Sequence, residues 1–349
     1  MSTIESVLRK HIDNVRPAGA GTIRAKCPFH ESKSSHRSLL VNLSTGWFRC
    51  FGCDARGRVS NLLERLGVEA ESALEGVEFK SFNKDQFIKE VNTYHILPEA
   101  VLDCYDKPSS KDVKEHLNGF TPDFLAEHDV RIDRARRRIL FFVRDRRGAL
   151  VGCSGRTMVK GKEPRYLVYR DEFANIVPGY QFRNRIHLYG LHDWGGEHLE
   201  SDEDAPLILV EGFKGCLWLK SLSNKINVAA VMGSGLTYAQ KHILLSGDYK
   251  APFYIFFDYE SGHQVPNERG ACHAYSAANA LWREAQNSQR VKVVGSEKNF
   301  SLICQYPEDA KAGISPDDLT KPQIKEAVGR AFSPLEYSMK YHLLGDSSE

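Results

Sequence analysis

The chain has 349 residues, 42% hydrophobic and 26% charged, with a formal net charge of +2. That length can hold more than one core, and no run of about 18 apolar residues exists to cross a membrane as a helix. Eight cysteines in so long a chain do not make a disulfide scaffold, and the amino terminus lacks the charged-then-apolar layout of a secretory signal, so an intracellular protein with reduced thiols is expected.

The small net charge hides an alternation. Residues 1–66 carry eleven Lys and Arg against five Asp and Glu, a net +6, and residues 67–130 carry six against fourteen, a net −8. Residues 131–190 carry fifteen against five, a net +10, and residues 191–349 fifteen against twenty-one, a net −6. Basic blocks suit a nucleic-acid backbone, whereas carboxylates in the last block suit divalent cations.

In chain order, Ile4, Val7, Leu8, His11 and Ile12 share one helical face, which ends near Pro17-Ala18-Gly19. Residues 38–42 and 47–50 read as strands around a glycine turn, and 59–66 as a closing helix. Residues 67–96 lack periodicity and read as a linker with weak helices. Residues 98–117 and 122–128 read as helices, and 138–143 with 149–153 as a hairpin around Arg146-Arg147-Gly148. Apolar runs at 207–210, 228–231 and 252–257 alternate with helical stretches at 214–222, 238–245 and 271–285. That order predicts a parallel sheet covered by helices. The fold class expected is a multidomain α+β and α/β chain. A small metal-binding module spans 1–66, a linker 67–96, a basic α+β body 97–195, a parallel-sheet body 196–332 and a short tail 333–349.

The sharpest local pattern is Cys27-Pro28-Phe29-His30, followed after 19 residues by Cys50-Phe51-Gly52-Cys53. Three thiolates and an imidazole in two short pairs can close a tetrahedral shell around Zn²⁺ and leave no open position, so Cys27, His30, Cys50 and Cys53 are expected to form a structural site. Basic Arg24, Lys26, Lys33, His36, Arg37 and Arg49 lie around Trp47, Phe48 and Phe51, and such a mixture suits single-stranded nucleic acid. The aromatic residues, Phe51 above all, also serve as candidates for the module's own core.

Further along, Glu211 follows the strand 207–210 and precedes Gly212, while Asp258 and Glu260 follow the strand 252–257 and share one face. Ligands of a parallel sheet gather at the carboxyl ends of its strands. The loop Val231-Met232-Gly233-Ser234-Gly235 falls between these acids, and Ser315-Pro316 ahead of Asp317 reads as a capped helix start. Carboxylates so placed are candidate Mg²⁺ or Mn²⁺ ligands. In the basic block, Arg138 and Arg144 bracket the apolar strand and would project from the rim of its sheet, where guanidinium groups can track phosphates.

The motif from Cys27 to Lys33, with Phe48 to Cys53, Gly57 and Leu62-Leu63, resembles the CHC2 zinc-binding domain of bacterial and phage DnaG-type primases. The run Arg138 to Gly148, with Gly152 to Arg156, Pro164 to Leu167 and Leu188 to Gly190, resembles the amino-terminal part of their RNA-polymerase domain. Leu209 to Phe213 and Phe256 to Glu260 resemble the TOPRIM metal-binding unit. The resemblance covers about residues 20–66 and 130–320. It implies a DNA-dependent RNA primase that makes short primers from ribonucleoside triphosphates on a single-stranded DNA template. Catalysis would fall to Glu211, Asp258, Glu260 and Asp317 with Mg²⁺ or Mn²⁺. Arg136, Arg138, Arg144, Arg156, Arg165, Tyr166 and Arg185 would handle nucleic acid and nucleotide. It further implies a cytoplasmic protein of a bacterial cell or a phage-infected host, with a replicative helicase as a further partner, although the tail 333–349 is too short for the family's helicase-binding domain. The chain departs from the family at Glu260, which stands for an aspartate, at Gly215, which stands for an acid, and at Asn184, which stands for a lysine. A TOPRIM-type nuclease or a non-catalytic DNA-binding protein of replication or its regulation are the alternatives.

Overall fold

The computed structural model describes residues 3–19, 21–30, 37–50, 55–77, 79, 94–193, 206–223, 226–246, 252–259, 273–287, 301–311 and 313–340. The chain divides into two units, Met1–Lys89 and Glu90–Glu349. Among the described residues no helix is long and apolar enough to cross a membrane.

The first unit begins with α1 (Thr3–His11), whose Glu5 near the start and Arg9, Lys10 and His11 at the end complement the helix dipole. Five short antiparallel strands follow: β1 (Arg16–Pro17), β2 (Thr22–Ala25), β3 (Leu39–Asn42), β4 (Trp47–Cys50) and β5 (Arg56–Arg58), in sequential order. Side chains alternate across a strand, so Ile23, Ala25, Leu39, Val41, Phe48 and Cys50 face inward, onto Leu8 of α1 and Leu62 and Leu63 of α2 (Val59–Glu64). The β3–β4 turn is held by Asn42 Oδ1, which accepts from the amides of Ser44 and Thr45 at 3.0 and 2.9 Å. Gly46 ends it with φ +66°, and a Cβ there would strike the Phe79 ring at 2.3 Å.

The second unit contains two sheets. The antiparallel one runs in order β6 (Val130–Asp133), β7 (Arg138–Arg144), β8 (Leu150–Thr157) and β9 (Tyr166–Tyr169). Residues 98–117, expected as one helix, are broken. A 3₁₀ turn Glu99–Cys104 gives way to extended chain that bridges Ile132 through Asp106, and α3 (Ser110–His116) starts afresh. Ser109 and Asp112 make the new start: the Asp112 amide donates to Ser109 Oγ and the Ser109 amide to Asp112 Oδ2. Then comes α4 (Pro122–Glu127).

The parallel sheet has the order β11 (Asn227–Ala230), β10 (Leu207–Val210), β12 (Phe253–Ile255) and β13 (Ser301–Ile303), every pairing parallel. Helices α5 (Phe213–Leu222), α6 (Tyr238–Ser246) and α7 (His273–Asn287) connect or flank its strands, with α8 (Lys321–Gly329) and α9 (Pro334–Lys340) following. Alternation along β10 divides its two faces. Ile208 and Val210 join the core that also contains Phe141, Leu140 and Phe213, whereas Leu207 and Leu209 join a second core with Leu281 and Tyr337. Residues 334–340, read from sequence as part of a tail, thus form a helix whose Tyr337 is fully buried. The first core ties the two sheets together: the Phe213 ring stacks on Phe141 at 4.6 Å and meets Tyr189 edge-on at 4.9 Å. Full burial of such a ring contributes about 2–3 kcal/mol, and it fixes the segment that carries Glu211.

Candidate active site and zinc centre

In the first unit, Cys27 and His30 leave β2 and Cys50 ends β4, bringing two sulfurs and one imidazole nitrogen within 4.8 Å of one another. His30 Nδ1 is 3.8 Å from Cys50 Sγ, the Phe29 amide donates to Cys27 Sγ at 3.5 Å, and the Ser38 hydroxyl lies 3.4 Å from Cys50 Sγ. Donors of this kind suit zinc, and an amide proton directed at sulfur, as at Cys27, favours the thiolate. Cys53, the fourth ligand expected, lies outside the described residues.

The inward face being filled, the outward face of the same sheet is what remains for Arg24, Arg49 and Trp47. Backbone register sets Arg16 opposite Arg24, Arg24 opposite Leu40 and Leu40 opposite Arg49, a row across four strands in which three positions are basic. One row along, Trp47 is 50% exposed and the Arg58 guanidinium lies 4.9 Å from its ring centre.

In the second unit, three acids lie around one tyrosine, Tyr306. Glu211 follows β10, Asp258 follows β12 and Asp317 sits in the 3₁₀ turn Pro316–Asp318; the first two are half-buried. The phenol of Tyr306 registers all three. Burial pushes its hydroxyl up, and the carboxylates of Asp258, Asp317 and Glu211 push it further. That hydroxyl donates to the Phe257 carbonyl at 3.1 Å. Asp317 accepts from the Ser315 hydroxyl at 2.7 Å and pairs with Lys214 Nζ at 2.9 Å. Glu260 lies outside the described residues.

Tyr166 of β9 borders the acids and part of the arginine group. Burial raises its phenol, Arg156 and Arg165 lower it, and Asp317 and Asp258 raise it again, so both cations and carboxylates lie near its hydroxyl. Its centre is 5.9 Å from both the Phe213 ring and the Arg165 guanidinium. The Arg156 side chain makes no hydrogen bond or ion pair among the described residues, and Arg165 bonds there only through its backbone and its cation–π contact.

Arg185 is positioned by the glycine loop. Its Nη2 donates to the Gly235 carbonyl at 2.6 Å, and a Cβ on Gly233 would lie 1.8 Å from its Nη1. Glycine at 233 therefore makes room for a guanidinium.

The other three arginines named from sequence are engaged with the protein itself. Arg138 is 4% exposed, and its guanidinium donates to the carbonyls of Gly155 at 2.8 Å and Pro164 at 3.1 Å. Arg144, expected at the rim of the sheet, forms a fork to Glu99 at 2.6 and 2.8 Å and pairs with Asp129 at 2.6 Å. Arg136 pairs with Asp133 and Glu172 at 3.3 and 3.4 Å and lies over the Tyr169 ring. The reason is register: Arg138 opens a strand that is buried over six consecutive positions, so its side chain finds carbonyls instead of solvent. Sequence reasoning missed Lys214 and Tyr306. Lys214, a base three residues after Glu211, left a signal that could have been read; Tyr306 left none.

Residues 2–80 match the family model of the CHC2 zinc finger, the DnaG zinc ribbon. Curated relatives include the DNA primase of Aquifex aeolicus, 26% identical over 311 residues, covering 74% of this chain and 59% of that one. Another is the DNA primase of Deinococcus radiodurans, 26% identical over 274 residues, covering 65% and 45%. The chain is related to the DnaG-type primases. It spans about half the length of the curated relatives it matches. Among solved structures, it is similar to the zinc-binding and RNA polymerase domains of Aquifex aeolicus primase, with TM-score 0.44, 20% identity, and 95% and 86% of the two chains covered. A DnaG primase catalytic domain bound to ssDNA gives TM-score 0.47 and 16% identity, covering 73% and 82%.

Proposed function

We propose that this chain is a primase: it joins ribonucleotides into short RNA on a single-stranded DNA template. The observation that carries this reading is that Glu211, Asp258 and Asp317 all lie near the Tyr306 hydroxyl, with Asp258 and Asp317 also near Tyr166, whose other charged neighbours are Arg156 and Arg165. Hard oxygen donors in a group fit Mg²⁺ or Mn²⁺, and Glu260 would complete the set. Held there, such ions would neutralise a triphosphate and lower the pKa of the attacking hydroxyl. The protein's own share is to hold the reactants. Glu211, Asp258 and Asp317 fix where the cations gather, and the Phe213 ring locks the Glu211 segment against the antiparallel sheet. Arg156, Arg165 and Arg185 offer guanidinium groups to phosphates of nucleotide, primer or template, and Tyr166 offers a ring for a base. Arg136, Arg138 and Arg144 serve that surface indirectly, by bracing the sheet beneath it.

Zinc bound by Cys27, His30, Cys50 and Cys53 would shape the first unit, whose arginine row and Trp47 form a face for single-stranded DNA. The functional division follows: a zinc-binding part at 1–66, a linker at 67–96, a basic part at 97–195 and a TOPRIM-like catalytic part at 196–332. A replicative helicase would be a further partner, met through a surface still to be found. The test is primer synthesis with labelled ribonucleotides on single-stranded DNA. Asp258→Ala is expected to lower it by roughly a hundredfold or more, as loss of a charge-stabilising group in a transfer site does. Undiminished synthesis by that variant, or shortened DNA in place of new RNA from the unaltered protein, would overturn the reading.

A further inference from the structure

Asp317 is already supplied with partners. Its Oδ1 accepts from Ser315 Oγ at 2.7 Å, and its Oδ2 lies 2.9 Å from Lys214 Nζ. The Asp317 side chain is 11% exposed and that of Lys214 32%, so the carboxylate is enclosed while the lysine keeps a path to solvent. Lys214 belongs to the first turn of α5, anchored by the burial of Phe213. It therefore meets Asp317 at a fixed place, three residues past Glu211. The next residue, Gly215, directs its missing Cβ at Asp317 Oδ1 from 3.7 Å. The side of the helix nearest this carboxylate thus brings an ammonium and no second acid.

An ammonium and a divalent ion on one carboxylate oxygen repel each other at close range, so the two compete for it. Either the cation stays and Asp317 is neutralised without metal, or it leaves and the carboxylate becomes a ligand. Lysine has a long flexible stem and readily exchanges one anion for another, and a triphosphate provides both a rival anion and its own bound cation. Resting on the primase reading, we infer that Lys214 is a resident cation that competes with a divalent ion for Asp317. The ion served by Asp317 is held weakly by the free protein and taken up with the nucleotide, whose phosphates receive the displaced ammonium.

The test is Mn²⁺ binding to the full-length protein, followed by calorimetry with and without a non-hydrolysable ribonucleoside triphosphate analogue. Lys214→Met should bind Mn²⁺ about tenfold more tightly than the unaltered protein in the absence of nucleotide, the order expected from removing one partly screened charge. Lys214→Arg, which keeps the charge, should not. Adding Asp317→Asn to Lys214→Met should cancel the gain. Lys214→Gln, which keeps a hydrogen-bond donor without the charge, repeats the comparison should the methionine variant fail to fold. If the neutral variants melt at a lower temperature but bind Mn²⁺ no more tightly, Lys214 is only a staple between α5 and the 315–319 turn, and the inference falls while the primase reading stands. If no protein takes up Mn²⁺, with or without the analogue, the primase reading fails as well.

Discussion

Arg49 in the zinc module and Arg138 in the second unit both lie on antiparallel strands within strongly basic stretches, yet the two strands treat them in opposite ways. β4 buries alternate residues, so Phe48 and Cys50 face the core while Trp47 and Arg49 turn outward. β7 is buried on both faces for six residues, and Arg138, with no outward side to occupy, places its guanidinium among backbone carbonyls. Positive charge on a one-sided sheet faces solvent and is available to a polyanion. On a two-sided sheet it becomes internal bracing. Counting charges per block cannot separate these cases, whereas the burial period of the strand can.

The sharpest test of the contrast removes what each unit depends on. A structural zinc supplies on the order of 10 kcal/mol of apparent folding free energy at neutral pH, and the described core of the first unit is small and includes Cys27 and Cys50 themselves. Cys50→Ser is expected to release zinc and to open residues 3–77 to proteolysis, while the melting of the second unit stays where it was. Retention of one zinc per chain with an intact first unit would show that Cys27, His30 and Cys50 are not the centre.

In the second unit the corresponding change is Arg138→Leu. It deprives the carbonyls of Gly155 and Pro164 of a charged donor, and buried groups left unsatisfied in this way cost about 3–5 kcal/mol together. A lower denaturant midpoint is expected, with DNA affinity unchanged for the protein that remains folded. Full stability with weakened DNA binding would move Arg138 into the outward class and dissolve the contrast.

Sequence reading succeeded where one residue type has one use and failed where partners decide. Cys27, His30 and Cys50 were legible because soft ligands at short spacing have few other purposes, and the strands before Glu211 and Asp258 because an apolar run closed by an acid marks a strand end. The strand β6 was missed because its Arg131 and Asp133 look solvent-facing. Both are buried, Arg131 donating to the carbonyls of Leu102, Ala126 and Val130, and Asp133 accepting from the Tyr169 hydroxyl at 2.7 Å. The same blindness to partners cast Arg138 and Arg144 as phosphate ligands. It also hid Lys214, whose meaning depends on Asp317 some hundred residues later.

Buried ionisable groups also tie the second unit to pH. His187 lies in a packed site beneath the Tyr94 and Phe182 rings, with the Asp145 carboxylate near, and among the described residues its Nε2 has no hydrogen-bond partner. Burial pushes its pKa down to about 4, against a smaller opposing effect of Asp145. The unfolded chain binds this proton first, so the stability contribution is complete above about pH 6.5 and lost as pH falls toward 4. Between pH 6.5 and 5 that amounts to about 2 kcal/mol. His187→Gln should flatten this part of the pH profile of thermal unfolding; an unchanged slope would mean that the histidine is protonated in the folded protein.

The smallest effect bears most directly on the outward face. Arg24 and Arg49 stand in one register row with Arg16, and each contact such a guanidinium makes with a phosphate of single-stranded DNA releases counterions. Arg49→Ala is therefore expected to weaken DNA binding by only a few-fold at moderate salt while lowering the slope of log affinity against log salt by about 0.7. Trp47→Ala on the same face should weaken binding with the slope unchanged, because stacking releases no ions. The pair of results matters more than either alone: a general loss of the unit's structure would reduce affinity in both variants but would not divide them by salt dependence. If Arg49→Ala leaves the slope intact, the row is a solvated surface, and the outward-facing arginines, like those of β7, owe their positions to the fold alone.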